Sequence, residues 1–499
     1  MAYKFSNPIC GGQDPFVCKG EDGYYSVVEA AGSKELYIYH SNRLTERGVK
    51  HVVYQAEESG ESSVDIWAPE LWNFNNKWYI YYAGSSLGGE KNWHTHRMFV
   101  LEADNPLGPY KPPVKLELGE QMAIDGSVLQ LAENKFVFFY MGRNEEKMLN
   151  CLYMAMMDSP THICSEPILL SVPELEWESD INEGPFPIYR NGKVSLLYAA
   201  NAAHLPDYCL GLLVCNDIKN IMKPSSWKKL DKPILTQKGN VIGPGHACIV
   251  PSPDNTEDWL VYHSKFDHDY TLPGGWNRVV NLLRITWKED IIPCCEEPYQ
   301  HGEPILAPSG EREFSLGKNI ELKLDSKSIE QFAEYTYSRE KTIWATDDGI
   351  RIDGTIWPKF GDKLLLRECS YKDCTITAFM KNISKAGEAG VLFRVKLPAA
   401  GETRWNGYGV YADKAGHVRL VKCDGKKIMT LKSKKILSDS MRKMTIELQG
   451  EIIKVILDGE MLFDIMDSSY RQGQIGIGTL GGDGEFYQLR IRRDEKCVD

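Results

Sequence analysis

NKWYIYY, residues 76–82, is a polar turn running into an aromatic strand, and the same pattern occurs four more times along the chain. The other copies are DGYYSV (22–27), NKFVFFY (134–140), GKVSLLY (192–198) and EDWLVYH (257–263). Counted from Tyr24, Trp78, Phe136, Val194 and Trp259, the intervals are 54, 58, 58 and 65 residues. That is the scale of a four-stranded propeller blade and too long for a helical hairpin. Five copies predict a five-bladed β-propeller. Shortly before each strand, a cluster of small residues or prolines holds one polar side chain: Asp14, Glu70, Asp125, Glu183 and His246 in turn. The first strand of every blade lines the central channel, so the repeat brings these five to one axis.

The chain has 499 residues, more than one ordinary core accommodates, and two domains are the simplest count. The repeat stops after NRVVNLLRITW (277–287), and the proline- and glycine-rich EEPYQHGEPILAPSGER follows. A boundary near residue 310 gives a propeller over 1–310 and a second domain over 311–499. In the second, CTITAFMKNI, AGVLFRVKL, HVRLVKC and IIKVILDG read as short antiparallel strands, predicting a β-sandwich of jelly-roll type. The fold class is therefore all-β, a five-bladed β-propeller followed by a jelly-roll sandwich.

No run of 18 or more apolar residues is present, which excludes a helical membrane span. A net charge of −11 without long charged blocks argues against nucleic acid and anionic membranes as partners and suits a neutral substrate. The thirteen cysteines are odd in number and irregularly spaced, without zinc-type pairs, and read as reduced, mostly buried thiols, the adjacent Cys294 and Cys295 included. The first residues, MAYKFSNPICGGQ, lack a basic segment followed by an apolar one, so a cytoplasmic protein is expected. Oligomeric state leaves no sequence signal.

Three of the converging groups carry reactive potential: Asp14 in GGQDPFV, Asp125 in MAIDGSVL and Glu183 in INEGPFPI. Taken singly, Asp-Pro and Asp-Gly are ordinary turn pairs. Three carboxylates around one channel, however, repel one another, raise the pKa of at least one, and let an acid and a base coexist at neutral pH. Glycoside hydrolysis needs such a pair. Glu70, in IWAPELW, fits either a channel-wall support or a substrate contact.

DPF at Asp14, WAPEL at 67–71, AIDGSV at 123–128, NEGP at 182–185 and GPGH at 243–246 together resemble glycoside hydrolase family 43, over about residues 5–308. The resemblance implies an inverting glycosidase with Asp14 as general base, Glu183 as general acid, and Asp125 orienting Glu183 and tuning its pKa. It also implies that Arg278, in GGWNRVV, sits beside Asp125 and keeps it ionised while reaching sugar hydroxyls. The glutamine expected in the following strand is absent from VVNLLRITW. His246 would face a calcium ion, usually held with waters, at the propeller centre, an unusual direct anchor for a metal that prefers oxygen; a histidine hydrogen-bonded within the channel is the alternative. Trp67, Trp72, Trp93 and Phe16 are candidates to stack on sugar faces. His96, in NWHTHRMFV, would border the pocket. Trp405 and Tyr408 would be exposed sugar platforms if the second domain binds glycans, as its likeness to concanavalin-like and laminin-G-like sandwiches suggests.

The substrates expected are arabinose- or xylose-containing oligosaccharides, with terminal α-L-arabinofuranose released by an exo-acting enzyme. A β-xylosidase or galactofuranosidase on the same frame, or a carbohydrate-binding propeller without turnover, are the alternatives. The coexistence of Asp14, Asp125 and Glu183 speaks for turnover.

Overall fold

The computed structural model describes residues 3–29, 34–88, 90–265, 277–336, 342–356, 361–383, 387–436 and 442–493. Five antiparallel sheets follow one another along the first part of the chain, and each contains one of the five repeated aromatic strands as its second strand. Blade 1 runs from Phe16–Lys19 to Val49–Gln55, and blade 2 from Val64–Phe74 to Val114–Lys115. Blade 3 begins at Ala123–Ala132, blade 4 at Asn182–Arg190 and blade 5 at Ile242–Pro251. These five first strands pack on one another in a closed ring, the first on the second and so on until the fifth meets the first.

Ring closure is made by the chain start: Cys10–Gly11 pairs antiparallel with Val279–Lys288, completing blade 5 with residues from the opposite end of the propeller. The repeated strands are buried along their length, as the aromatic run predicts. Tyr81, Tyr82, Phe136, Phe138, Tyr198 and Tyr262 are fully enclosed between blades. Each buries on the order of 150–250 Å² of ring surface.

The second part of the chain forms two sheets packed face to face. One is ordered Ile343–Ala345, Ile350–Asp353, Asp483–Arg493, Cys374–Asn382, Arg442–Gln449, Ile452–Leu457 and Glu460–Met466, with Ile320–Lys323 added on Asp483–Arg493. The other runs from Phe332–Tyr335 through Gln474–Leu480 and Glu388–Lys396 to Ile428–Lys435. Cys374–Asn382 alternates buried and half-buried positions, the period-two signature of a strand with one face on a core. Ile376, Ala378, Val391, Phe393, Ile446 and Ile477 fill the space between the sheets.

Here one expectation is overturned. Trp405 and Tyr408 are fully buried, the indole donating to Glu402 O (2.8 Å) and the phenol to Asp467 Oδ1 (2.5 Å). A large ring at a strand end gains more from the core than from water, and neither residue is a surface platform. The sandwich is bonded to the propeller through Gly11 N to Thr336 O (2.6 Å), Ala400 N to Pro8 O (3.0 Å), and the ion pair of Arg367 with Glu46 (2.9 Å). A cavity of about 380 Å³ at this junction, between His40, Asn42, Gln331 and Glu368, holds none of the axial carboxylates. No helix among the described residues is long and apolar enough to cross a membrane. The twelve described cysteines are all free.

Candidate active site

At or just before the start of every innermost strand lies a residue in the left-handed region: Asp14 (φ 43°), Ala68 (44°), Asp125 (57°), Gly184 (55°) and His246 (42°), with Asp65 (49°) and Gly243 (54°) as second ones in blades 2 and 5. Strand pairing slips at the same places, between Trp67 and Glu70, Ile124 and Ser127, Glu183 and Phe186, and Gly245 and Ala247. These are bulges, and they turn a side chain from the sheet face toward the channel. Left-handed backbone at a non-glycine residue costs roughly 1–3 kcal/mol, which the closed ring sustains. Asp14, Asp125 and His246 thus share one phase of the repeat. Glu70 lies two residues after the bulge and Glu183 one residue before it. Gly184 must be glycine, since a Cβ there would come within 3.0 Å of the His246 ring on a backbone that already has positive φ.

Asp14 is the hub. Its Oδ1 accepts from Arg278 Nη1 (3.0 Å) and lies 3.2 Å from His246 Nδ1 and 3.3 Å from His263 Nδ1. Arg278 also donates to the Gln13 side chain, and Asp14 N donates to His263 Nδ1 (3.0 Å). Burial by itself pushes the Asp14 carboxyl up, but the Arg278 guanidinium and the two imidazoles outweigh it and hold the group well below the usual carboxylate range. The lasting charge is that of Arg278, because burial keeps His246 and His263 neutral, the latter pushed down to about 3. The sequence placed Arg278 beside Asp125. Arg278 donates to Asp14 and Gln13, which puts its charge on Asp14.

Glu183 has the opposite character. Burial, with the Asp14 charge adding to it, pushes its carboxyl up to about 7, although Tyr208 Oη donates to Oε1 (2.7 Å). Asp125 accepts from Gly184 N at Oδ2 (3.1 Å), which ties it to the residue after Glu183. Burial and then the charges of Glu183 and Asp14 raise Asp125 far above its ordinary value. Against the expectation that Asp125 is held ionised, burial, its largest influence, disfavours the charged form. The channel therefore holds one carboxyl pushed down, Asp14, and two pushed up, Asp125 and Glu183, which titrate as a coupled set.

The remaining expected contacts divide. Glu70 is buried, accepts from the Trp72 indole (2.8 Å) and is pushed up to about 8 by burial. Phe16 is buried against Trp72 and Phe186, at ring centroid distances of 5.3 and 6.2 Å, and is part of the channel packing. Trp67 is half-buried and stacks on His96 at 3.7 Å and 22°. His96 itself is fully buried, with both ring nitrogens facing backbone carbonyls, those of Trp93 (2.8 Å) and Asp65 (2.9 Å). It backs the Trp67 ring and does not border the pocket. Trp93 is half-buried beneath the Arg143 guanidinium, 5.8 Å from its ring.

The side chains around His246 supply too few oxygen donors to enclose a calcium ion by themselves, so an ion there would be held largely by water. Calcium takes six to eight oxygen ligands, typically. His246 offers nitrogen, and its Nδ1 is spent on Asp14. The nearby carboxylate oxygen is occupied by a guanidinium, and among the described residues no group of three His, Cys, Asp or Glu side chains is set to hold a metal.

Four residues of the site escaped the sequence reading: Gln13, Tyr208, His263 and Lys265. His263 had a signal, because it closes EDWLVYH where the blades before it carry Tyr82, Tyr140 and Tyr198. Lys265 is buried, donates to Ala203 O (2.7 Å), and is pushed down to about 7 by burial and then by Arg278. Tyr208 stands in an unremarkable loop and strand start, and nothing in the linear sequence connects it to Glu183.

The description of glycosyl hydrolases family 43 matches residues 5–293, more than half of the chain. An extracellular exo-alpha-(1->5)-L-arabinofuranosidase of Streptomyces chartreusis is 28% identical over 276 residues, 52% of this chain and 82% of that protein. Alpha-L-arabinofuranosidase 43 of Humicola insolens is 30% identical over 298 residues, 56% of this chain and 60% of its own length. The alpha-L-arabinofuranosidase structure from Lactobacillus brevis superposes with a TM-score of 0.55 at 26% identity, over 60% of this chain and 98% of that one. Five blades in a closed ring, buried carboxylates in its channel and the match over residues 5–293 lead to one assignment: the chain belongs to glycosyl hydrolases family 43 and is a glycoside hydrolase acting on glycans.

Proposed function

We propose that this chain is an exo-acting, inverting α-L-arabinofuranosidase that removes terminal arabinofuranose from arabinan or arabinose-decorated oligosaccharides. The observation that carries the reading is the split in surroundings along one channel: Asp14 is bonded to Arg278 and pushed down, while Glu183, among the described residues, accepts only from the Tyr208 hydroxyl and is pushed up to about 7 by burial. The names of the relatives from Streptomyces chartreusis and Humicola insolens support the choice of sugar.

Asp14 is the general base. With Oδ1 taken by Arg278 and faced by His246 Nδ1, Oδ2 is the oxygen left to accept a proton from water. That water attacks the anomeric carbon as Glu183 gives its proton to the glycosidic oxygen. The C–O bond breaks with its electron pair going to that oxygen. Asp125, bonded to Gly184 N, holds the Glu183 segment in place, and its charge is coupled to that of Glu183. Trp67, half-buried and braced by His96, is a ring available to stack on a sugar face.

The test is hydrolysis of a panel of p-nitrophenyl glycosides by the wild type and Asp14→Asn. Cleavage of the α-L-arabinofuranoside alone, lost in the variant, is expected. Cleavage of the β-D-xyloside or β-D-galactofuranoside instead would replace the sugar, and full activity of Asp14→Asn would remove the base.

A further inference from the structure

Tyr208 is fully buried, and among the described residues its hydroxyl has one partner, Glu183 Oε1 at 2.7 Å. A phenol proton buried without an acceptor costs about as much as a lost hydrogen bond, so the hydroxyl donates and Oε1 accepts. The acidic proton of Glu183 is then confined to Oε2. The Tyr208 ring cannot turn away. It lies parallel to His263, with centroids 5.3 Å apart and 9° between the planes, and it presses on Gly245, where a Cβ would come within 2.2 Å of Cε1. This gives the second glycine of GPGH a physical reason. His263, itself fully buried, receives the Asp14 amide at Nδ1 (3.0 Å). A continuous bridge therefore runs from Glu183 to the Tyr208 hydroxyl and ring, on to the His263 ring, and from its Nδ1 to the Asp14 backbone.

We infer that Tyr208 and His263 form a rigid spacer between the two reacting carboxyl groups, in which Tyr208 is a positioning residue that fixes the acidic proton of Glu183 on Oε2. The inference rests on the acid and base roles proposed above. In the reaction, the Oε2 proton passes to the glycosidic oxygen as its bond to the anomeric carbon breaks. The charge left on Glu183 is met by the Tyr208 hydroxyl already in place at Oε1, which requires no reorganisation. The water proton goes to Asp14, whose position is held from behind by His263.

Tyr208→Phe removes the hydroxyl and keeps the ring against His263 and Gly245. A hydrogen bond to a charged acceptor corresponds to roughly one to two pKa units, so the alkaline limb of kcat/KM is expected to move up by about that much. Cleavage of an unactivated arabino-oligosaccharide should fall ~10–100-fold, the range of a general-acid contribution weakened but not lost, with a few-fold change for a dinitrophenyl arabinofuranoside. His263→Phe keeps a ring under Tyr208 and loses the acceptor for Asp14 N. It should leave the alkaline limb in place, move the acid limb up because Asp14 is loosened from Arg278, and slow both substrates alike. A Tyr208→Phe enzyme with wild-type melting and an unmoved alkaline limb would overturn the proposal, and so would His263→Phe with an unchanged acid limb, which decides the matter should Tyr208→Phe not fold. Glu183→Gln, run in parallel, separates this from the underlying reading: if it keeps full activity on the oligosaccharide, the acid assignment fails, whatever the spacer variants do.

Discussion

Replacing Arg278 by methionine removes the charge that keeps Asp14 ionised while retaining much of the side-chain volume. Arg278 Nη1 is 3.0 Å from Asp14 Oδ1, and the two side chains are only 6% and 13% exposed, so water screens the pair poorly. Charge centres ~4 Å apart at an effective dielectric of ~20 interact by ~4 kcal/mol, equivalent to ~3 pKa units at 1.36 kcal/mol each. With the arginine gone, burial is opposed only by two histidines that are themselves neutral, and the Asp14 pKa rises. A base works only when deprotonated, so activity falls as pH drops through its pKa, and a raised pKa carries the acid limb upward. In the wild type the acid limb should lie below the usual carboxylate range and the alkaline limb near 7, where Glu183 loses its proton. For Arg278→Met the acid limb should move up by about 2–3 pH units, the alkaline limb much less. The assay is kcat/KM for p-nitrophenyl α-L-arabinofuranoside across about pH 3–9, with intact fold checked by melting. An acid limb in its wild-type place, in a variant that still turns over, would refute the claim that Arg278 sets the charge of Asp14.

Glu183→Ala should cripple cleavage of oligosaccharides by ~10²–10⁴-fold while sparing aryl glycosides whose leaving groups need little protonation; equal loss on both would contradict an acid role. A strong chelator should lower the melting temperature if a water-held calcium faces His246, with calcium restoring it; no response would remove the ion from the account. Trp405→Ala should destabilise the protein by about 3–5 kcal/mol in denaturant unfolding, as expected for a large ring removed from a core, without changing KM for the glycoside. A stable variant with weakened glycan affinity would return Trp405 to the role of a sugar platform.

The blades and their order were legible because the aromatic strands repeat at a spacing that no shorter structural unit matches. Asp14, Asp125 and His246 were legible with them, since each marks a left-handed bulge at the same phase of the repeat. Glu183 and Glu70 were found although they stand off that phase, because motif and small neighbours, not spacing, marked them. The partner of Arg278 was not legible: which carboxylate a guanidinium reaches depends on the few ångströms by which its strand leans toward Gln13, across a ring closed by Cys10–Gly11. Phe16 and His96 carried the aromatic character of sugar-stacking residues. Their burial follows from packing between blades, which sequence periodicity does not separate from a pocket wall. Trp405 was misread for the same reason. Tyr208 left no trace at all, because its bond to Glu183 spans 25 residues and joins two different strands of blade 4 through a turn of irregular sequence.

The most direct test of the account is the configuration of the sugar at the moment of release, followed by proton NMR during hydrolysis of an α-L-arabinofuranoside. A single displacement by water activated at Asp14 predicts that the β-anomer appears first and mutarotates to the equilibrium mixture. First appearance of the α-anomer would mean a covalent intermediate and two displacements, and would contradict the division of labour between Asp14 and Glu183.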